Sequence, residues 1–314
     1  MSASPTRRGP RGPLELLRQH WRAPRHAPVP PGPLPAGRVL EVPGVGELFV
    51  RDSGGQGPPV LLLHGWLFPS DLNWWRTYEP LERAGYRVLA VDLRGHGRGL
   101  RAQAPFRLAD CAADCAALVK ALECGPVIAV GYSMGGPVAQ LMARSHAEVV
   151  AGIVCCATAR EWRDPNQRLF WRGMGLLRLH LTVFPRSAWR WGLLRAGYPD
   201  DEMTSWIVAE LSRGNGRDLA EAGRDLGRYD ARPWAENLRT PAAVVVTARD
   251  GTVPPVKQRE LAAALRAPRF EVECDHFCVT SNPEIFHPAL LDALEAVREA
   301  GSQPTTVDAE RLSA

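Results

Sequence analysis

The residues best suited to do chemistry form the run Gly131-Tyr132-Ser133-Met134-Gly135-Gly136, which follows the apolar stretch Val127 to Val130 and opens a helical stretch, Met134 to Arg144. A serine caught between a strand and a helix sits on a tight, strained turn. The positions two before and two after it have no room for side chains. Gly131 and Gly135 fill those positions. The turn lifts the Ser133 hydroxyl to the carboxyl edge of the sheet and leaves the Met134 amide at the positive end of a helix dipole. A serine hydroxyl is a poor nucleophile at neutral pH. It needs an imidazole to take its proton and a carboxylate to fix the tautomer and offset the charge of that imidazole. Both follow in the chain, acid first: Asp250 after the strand-like Ala243 to Thr247, and His276 after Phe270 to Glu273. Taken singly, Asp250 reads as a turn aspartate before glycine and His276 as a capping or surface histidine; their joint order and placement favour an acid–base pair. Negative charge developing on a carbonyl oxygen calls for two backbone amides. Met134 supplies one, and Trp66, in His64-Gly65-Trp66 after Leu61 to Leu63, supplies the other through its backbone. Gly65 lets that loop approach a substrate closely, and His64 reads as a loop-ordering residue.

These residues need a scaffold. From Arg38 onward short β-branched runs alternate with amphipathic stretches, the pattern of a mostly parallel sheet covered by helices. Strands are expected at Val39 to Val42, Glu47 to Arg51, Val60 to Leu63, Arg87 to Val91, Val127 to Val130, Val150 to Cys155, Ala243 to Thr247 and Phe270 to Glu273. The first two form an antiparallel hairpin. Helices are expected near Asp71 to Arg83, Leu108 to Leu122, Met134 to Arg144, Val256 to Leu265 and Pro283 to Ala300. One segment breaks the alternation. Ala159 to Trp234 has no good strand and carries six of the ten tryptophans, which suggests a helical insertion. Its aromatics suit a lid over an apolar pocket and also the core that a small helical unit requires.

The 314 residues are 45% hydrophobic and 23% charged, the usage of a globular chain with a packed core and not of a disordered, collagen-like or coiled-coil one. The net charge of +4 is spread along the chain, which lends little support to nucleic-acid binding. Apolar runs such as Ala242 to Val246 fall far short of the ~20 residues of a membrane-spanning helix, so no integral membrane segment is expected. The expected organisation is a Pro/Arg-rich arm over 1–37, a core over 38–158 and 236–300, a helical cap insertion over 159–235 and a disordered tail over 301–314. Arg7 and Arg8 in the arm lack the apolar segment of an export signal. Its stretch Leu14 to Trp21 reads as a short helix packed on the domain in preference to one resting on an anionic membrane. The seven cysteines include no Cys-x-x-Cys pair and read as buried reduced thiols, which points to the cytoplasm. Cys274 and Cys278 bracket His276, but the second ligand pair that zinc usually takes is missing.

The sequence resembles the α/β-hydrolase superfamily, in its single-domain branch with a helical cap, over about Arg38 to Ala300. The matching motifs are the His-Gly turn at His64, Asp92-Leu93-Arg94-Gly95-His96-Gly97, the turn at Ser133, the Asp250 loop and Asp275-His276-Phe277. The resemblance implies an α/β fold with an eight-stranded, mostly parallel sheet and helices on both faces. It implies Ser133 as nucleophile, His276 as base, Asp250 as orienting acid, and the Trp66 and Met134 amides as oxyanion donors. Asp92, Arg94 and His96 would be structural. Arg98-Gly99 departs from relatives that carry a serine soon after the second glycine, which bears on the hydrogen bonding of that loop. Relatives that open epoxides or displace halide use an aspartate nucleophile, so serine disfavours those activities here.

The expectation is a serine hydrolase acting on a small-molecule carboxylic ester, with an apolar or aromatic acyl group favoured by the tryptophan-rich cap. It needs no metal and no organic cofactor. Hydrolysis of a carbon–carbon bond in a diketone uses the same triad; for it, Arg160, Arg163, Arg168, Arg172, Arg178, Arg190 and Arg195 offer carboxylate clamps, although a solvated helix face explains them as well. A third reading keeps the pocket as a non-catalytic ligand receptor, since fold and triad alone do not establish turnover. Oligomeric state is not encoded in these motifs.

Overall fold

In the strand Pro59–Leu63, alternate side chains belong to different cores: Leu61 and Leu63 face one side of the sheet, Val60 and Leu62 the other, and all four are fully buried. Burial on both faces is what a near-continuous apolar run specifies, and it demands helices on both sides. A computed structural model describes residues 26–163 and 168–302. The expected arm helix Leu14 to Trp21 and the tail from residue 303 lie outside the described residues.

Eight strands form one sheet: β1 Gly37–Val42, β2 Gly46–Asp52, β3 Pro59–Leu63, β4 Arg87–Val91, β5 Val127–Tyr132, β6 Val150–Cys156, β7 Ala242–Thr247 and β8 Arg269–Val272. Their spatial order is β1-β2-β4-β3-β5-β6-β7-β8. β1 and β2 pair antiparallel, as do β2 and β4, and all other pairs are parallel. The helices that flank the sheet are α1 Ser70–Trp74, α2 Tyr78–Arg83, α3 Leu108–Ala121, α4 Gly135–Ser145, then, after the insertion, α10 Pro255–Leu265, α11 Cys278–Ser281 and α12 Pro283–Ser302. One face packs against α3, α4 and α10; the other packs against α1, α2 and α12, through Trp74, Tyr78 and Phe286 among others.

The single helix expected over Asp71 to Arg83 is two. Pro80 has no N–H and would clash with the carbonyl one turn earlier, so the chain breaks at 75–77 and restarts with Pro80 in the first turn of α2. The last helix runs on to Ser302, two residues into the segment expected to be tail.

Between β6 and β7 lie five helices: α5 Arg168–Arg172, α6 Met174–Val183, α7 Pro185–Arg195, α8 Glu202–Leu211 and α9 Gly216–Leu226. The two ends of this insertion are stitched side by side. Glu161 and Asp230 form an isolated antiparallel bridge, Trp162 N–H donates to Tyr229 O at 3.1 Å, and Ala231 N–H to Arg160 O at 2.7 Å. Among the described residues no helix is long and apolar enough to cross a membrane.

Candidate active site

β5 ends in the turn that carries Ser133, whose φ of 52° lies in the left-handed region that non-glycine residues rarely adopt. The strain is held in place from both sides. Ser133 N–H donates to Cys156 O at 2.9 Å, and the Thr158 hydroxyl donates to Ser133 O at 2.7 Å. The neighbouring glycines are sterically required, as expected: a Cβ on Gly131 would lie 2.3 Å from Gly135 O, and one on Gly135 2.1 Å from Leu63 O. This close approach of α4 to β3 brings the His64-Gly65-Trp66 loop beside the serine, and a Cβ on Gly65 would stand 3.4 Å from Ser133 Cβ.

The structure brings Ser133, His276 and Asp250 together. His276 Nε2 is 3.1 Å from Ser133 Oγ, and His276 Nδ1 is 2.7 Å from Asp250 Oδ2. Asp250 is buried, and its oxygens are saturated with donors: the N–H groups of Thr252 and Val253 reach Oδ1 at 2.8 Å each, while the Thr247 hydroxyl and Gln258 Nε2 reach Oδ2 at 2.8 and 3.2 Å. Asp250 Oδ2 is placed to accept from His276 Nδ1–H, which leaves Nε2 to face the Ser133 hydroxyl as an acceptor.

Met134 follows Ser133 as the N-terminal boundary residue of α4, and Trp66 follows Gly65. Among the described residues neither amide is spent on another backbone or side-chain acceptor. The Trp66 indole is used elsewhere, donating to Leu219 O in α9 at 2.8 Å. His64 is fully buried. It accepts from Leu93 N–H at Nε2 (2.9 Å) and meets Gly65 O through Nδ1 (2.8 Å), and burial lowers its pKa to about 4. A neutral histidine with both nitrogens engaged orders two loops, in line with the expectation. Asp92, Arg94 and His96 are likewise structural in placement: Asp92 accepts Ser70 N–H and Arg98 N–H, and Arg94 grips Asp114 with two bonds of 2.7 and 2.6 Å.

Over the serine lies a cavity of about 360 Å³, walled by aromatic and aliphatic side chains that include Trp66, Phe68, Trp162, Phe170, Trp171 and Leu226. Trp162, Phe170, Trp171 and Leu226 come from the insertion. Phe170 and Phe277 are half exposed at its rim. Among the described residues, none of the arginines considered for a carboxylate clamp lines the cavity. Arg160 faces Glu236 and Glu260, Arg163 faces Asp230, and Arg190 holds Asp200; Arg172, Arg178 and Arg195 are exposed, and the Arg168 side chain lies outside the described residues.

Sequence reasoning missed several supports. The Tyr132 hydroxyl, beside the serine in the chain, donates to His276 O at 2.8 Å. Asn73 Oδ1 accepts Gly65 N–H at 2.9 Å, and Gln258 cradles Asp250 from α10. Tyr132 lay inside the recognised turn, but nothing in a sequence says where a tyrosine hydroxyl ends. One expectation is corrected: Cys274 and Cys278 are joined in a disulfide, not kept as reduced thiols. The strand end and the helix start that they occupy bring their Cα atoms to 5.7 Å, inside the range a disulfide spans. Cys111, Cys115, Cys124, Cys155 and Cys156 are free. Among the described residues no group of three or more metal-ligating side chains converges.

The model of the alpha/beta hydrolase family matches residues 60–289, nearly three quarters of the sequence. The chain belongs to the alpha/beta hydrolase family. It is 38% identical over 122 residues to epoxide hydrolase B of Mycobacterium tuberculosis, a match covering 37% of this chain and 34% of that protein. The chain thus spans about a third of the length of that relative. Pimeloyl-[acyl-carrier protein] methyl ester esterase of Vibrio atlanticus is 28% identical over 247 residues, covering 71% of this chain and 93% of the esterase. Among solved structures, a thermophilic esterase of Thermogutta terrifontis superposes with a TM-score of 0.68 at 24% identity, covering 83% of this chain and 99% of that one, which is a likeness of fold.

Proposed function

We propose that this chain is a serine hydrolase that cleaves carboxylic esters with an apolar or aromatic acyl group, through an acyl-enzyme on Ser133. The observation that carries the reading is the simultaneous approach of His276 to Ser133 Oγ at 3.1 Å and to the buried Asp250 at 2.7 Å. In this mechanism His276 takes the serine proton as Oγ attacks the carbonyl carbon. The Trp66 and Met134 amides bind the resulting oxyanion. His276 then returns the proton to the departing alcohol. Water, activated by the same imidazole, attacks the acyl-enzyme and releases the acid and free Ser133. The insertion acts as a cap that lends apolar walls to the cavity, which supports an uncharged acyl group.

Carbon–carbon hydrolysis of an acidic diketone is the weaker reading, because among the described residues the lining of the cavity holds no arginine to meet a substrate carboxylate. The test is hydrolysis of p-nitrophenyl esters from acetate to long acyl chains, with Ser133→Ala in parallel and fluorophosphonate labelling of both. Turnover and labelling that vanish in the variant support the reading. A folded protein that neither labels nor turns over any ester overturns it in favour of a ligand receptor.

A further inference from the structure

We propose that the Cys274–Cys278 disulfide is a positioning crosslink for His276, and that thiol exchange at this pair sets the rate of turnover; the inference rests on the hydrolase reading above. The cysteines stand two residues to either side of His276, so their bond closes a ring containing Asp275, His276 and Phe277. The ring has two feet. Cys274 lies just past β8, and its carbonyl accepts Arg249 N–H at 3.0 Å, which ties this foot to the loop that carries Asp250. Cys278 opens α11 and is fully buried in the same core as Tyr132 and Phe286. One foot therefore stands with the acid and the other with the turn that bears the serine. A general base must satisfy both neighbours at once, and His276 is carried on a loop, the part of a fold that opens most readily. Apart from the disulfide, the loop closes on itself through Cys278 N–H to Asp275 O, a long 3.3 Å, and Phe277 N–H to the Asp275 carboxylate at 2.9 Å in an exposed stretch. The Tyr132 hydroxyl holds the middle of the ring. Once the bond is cut, both feet remain, but the distance between them is no longer held.

Reduction consumes a dithiol, or two molecules of a monothiol such as glutathione. One thiolate attacks a ring sulfur to give a mixed disulfide, and a second thiol resolves it. The S–S bond of the ring is replaced by two S–H bonds, and the reductant leaves as its own disulfide. The reverse exchange with an oxidised thiol restores the ring. Cys274 is 5% exposed and Cys278 0%, so attack requires the loop to open. The other buried thiols do not compete: burial raises the pKa values of Cys111, Cys115 and Cys156, and pushes that of Cys155 up to about 12, which suppresses their thiolates. In a reducing compartment the pair rests as thiols, and oxidation raises turnover.

The test uses the full chain after treatment with oxidised glutathione and after dithiothreitol. Alkylation under denaturing conditions is expected to modify five of the seven cysteines in the oxidised protein and all seven in the reduced one. With p-nitrophenyl butyrate, reduction should lower kcat about tenfold and leave KM within about twofold, the mark of a displaced base and not of a lost binding site. Re-oxidation restores kcat. Cys274→Ser/Cys278→Ser shows the reduced kcat under either treatment. Backbone amide exchange in the peptide 273–282 rises on reduction. Seven reactive thiols in the oxidised sample, or equal kcat in the two redox states, overturns the proposal. Should the oxidised protein hydrolyse no ester, the hydrolase reading fails on its own; the crosslink then stands on faster exchange after reduction and falls if exchange is unchanged.

Discussion

The Tyr132 hydroxyl donates to the His276 carbonyl at 2.8 Å, so the residue immediately before Ser133 also anchors the loop of His276. Ser133 and His276 are thereby referenced to one strand end. The tyrosine is buried, and burial holds its pKa well above the ordinary value, so it remains a donor at every working pH. Tyr132→Phe removes that donor and strands a carbonyl. It should cost about 1 kcal/mol of stability and lower kcat roughly fivefold with little change in KM. Steady-state kinetics and thermal unfolding decide the point; an unchanged kcat would show that the loop needs no such anchor.

The Arg98 guanidinium spans a seam between the sheet and the insertion. It meets both oxygens of Glu210 in α8 at 3.0 and 2.9 Å, Asp71 at 3.2 Å and Asp92 at 3.4 Å, and it lies over the Phe49 ring at 4.6 Å. Glu210 is nearly buried, and burial raises its pKa despite the arginines beside it. Arg98→Ala leaves three buried acids short of a counter-charge and should cost about 3 kcal/mol, or roughly 6 to 12 °C in Tm. A shift smaller than about 2 °C would remove Arg98 from the seam.

Acid should weaken the fold through two histidines. Burial lowers the pKa of His64 to about 4 and that of His96 to about 3, against an ordinary histidine value of 6.5. Between pH 6.5 and 4.5 the unfolded chain therefore binds protons at these sites that the folded chain does not, so stability falls as pH falls. At pH 5 the loss is about 2 kcal/mol for each histidine. Among the described residues His96 Nε2 has no hydrogen-bond partner, so His96→Leu should flatten part of the slope of Tm against pH. An unaltered slope in that variant assigns the acid lability elsewhere.

Trp171 walls the cavity and packs on Trp66 with ring centroids 5.6 Å apart. Trp171→Ala should move the preferred acyl chain to longer esters, and Leu226→Trp to shorter ones. A p-nitrophenyl ester series reads both. An unmoved optimum in the two variants would separate these walls from acyl selection.

Two glycines should respond in opposite ways to the same substitution. Gly135→Ala drives a methyl group to 2.1 Å from the Leu63 carbonyl and should abolish the folded state. Gly192, inside α7, has open space around the position of a Cβ, and Gly192→Ala should add about 0.5–1 kcal/mol. Tm values of the two proteins check both claims, and a well-folded Gly135→Ala would show that β3 and α4 can separate.

Legibility in the sequence followed locality. The inner strands could be read because buried parallel strands are near-continuous apolar runs, and Ser133 and Asp250 because each follows such a run; His276 follows the short edge strand β8, whose Arg-Phe-Glu-Val alternates in burial. The Arg51–Asp71–Arg98–Glu210 chain of ion pairs could not be read, since it joins four segments that no spacing relates. Cysteine spacing misled for a related reason. Cys111 and Cys115 have the same separation as Cys274 and Cys278, yet the first pair points along parallel rays of a helix and stays free, while the second straddles a loop that turns its ends together.

The bridge between Glu161 and Asp230 has a consequence for how such a protein can change over generations. Departure from and return to the sheet lie side by side, so the intervening helices can lengthen, shorten or be exchanged without shifting the register of any strand. The machinery around Ser133 can stay constant while the chamber above it is rebuilt, and selection can retune which molecules are admitted without renegotiating how they are cut.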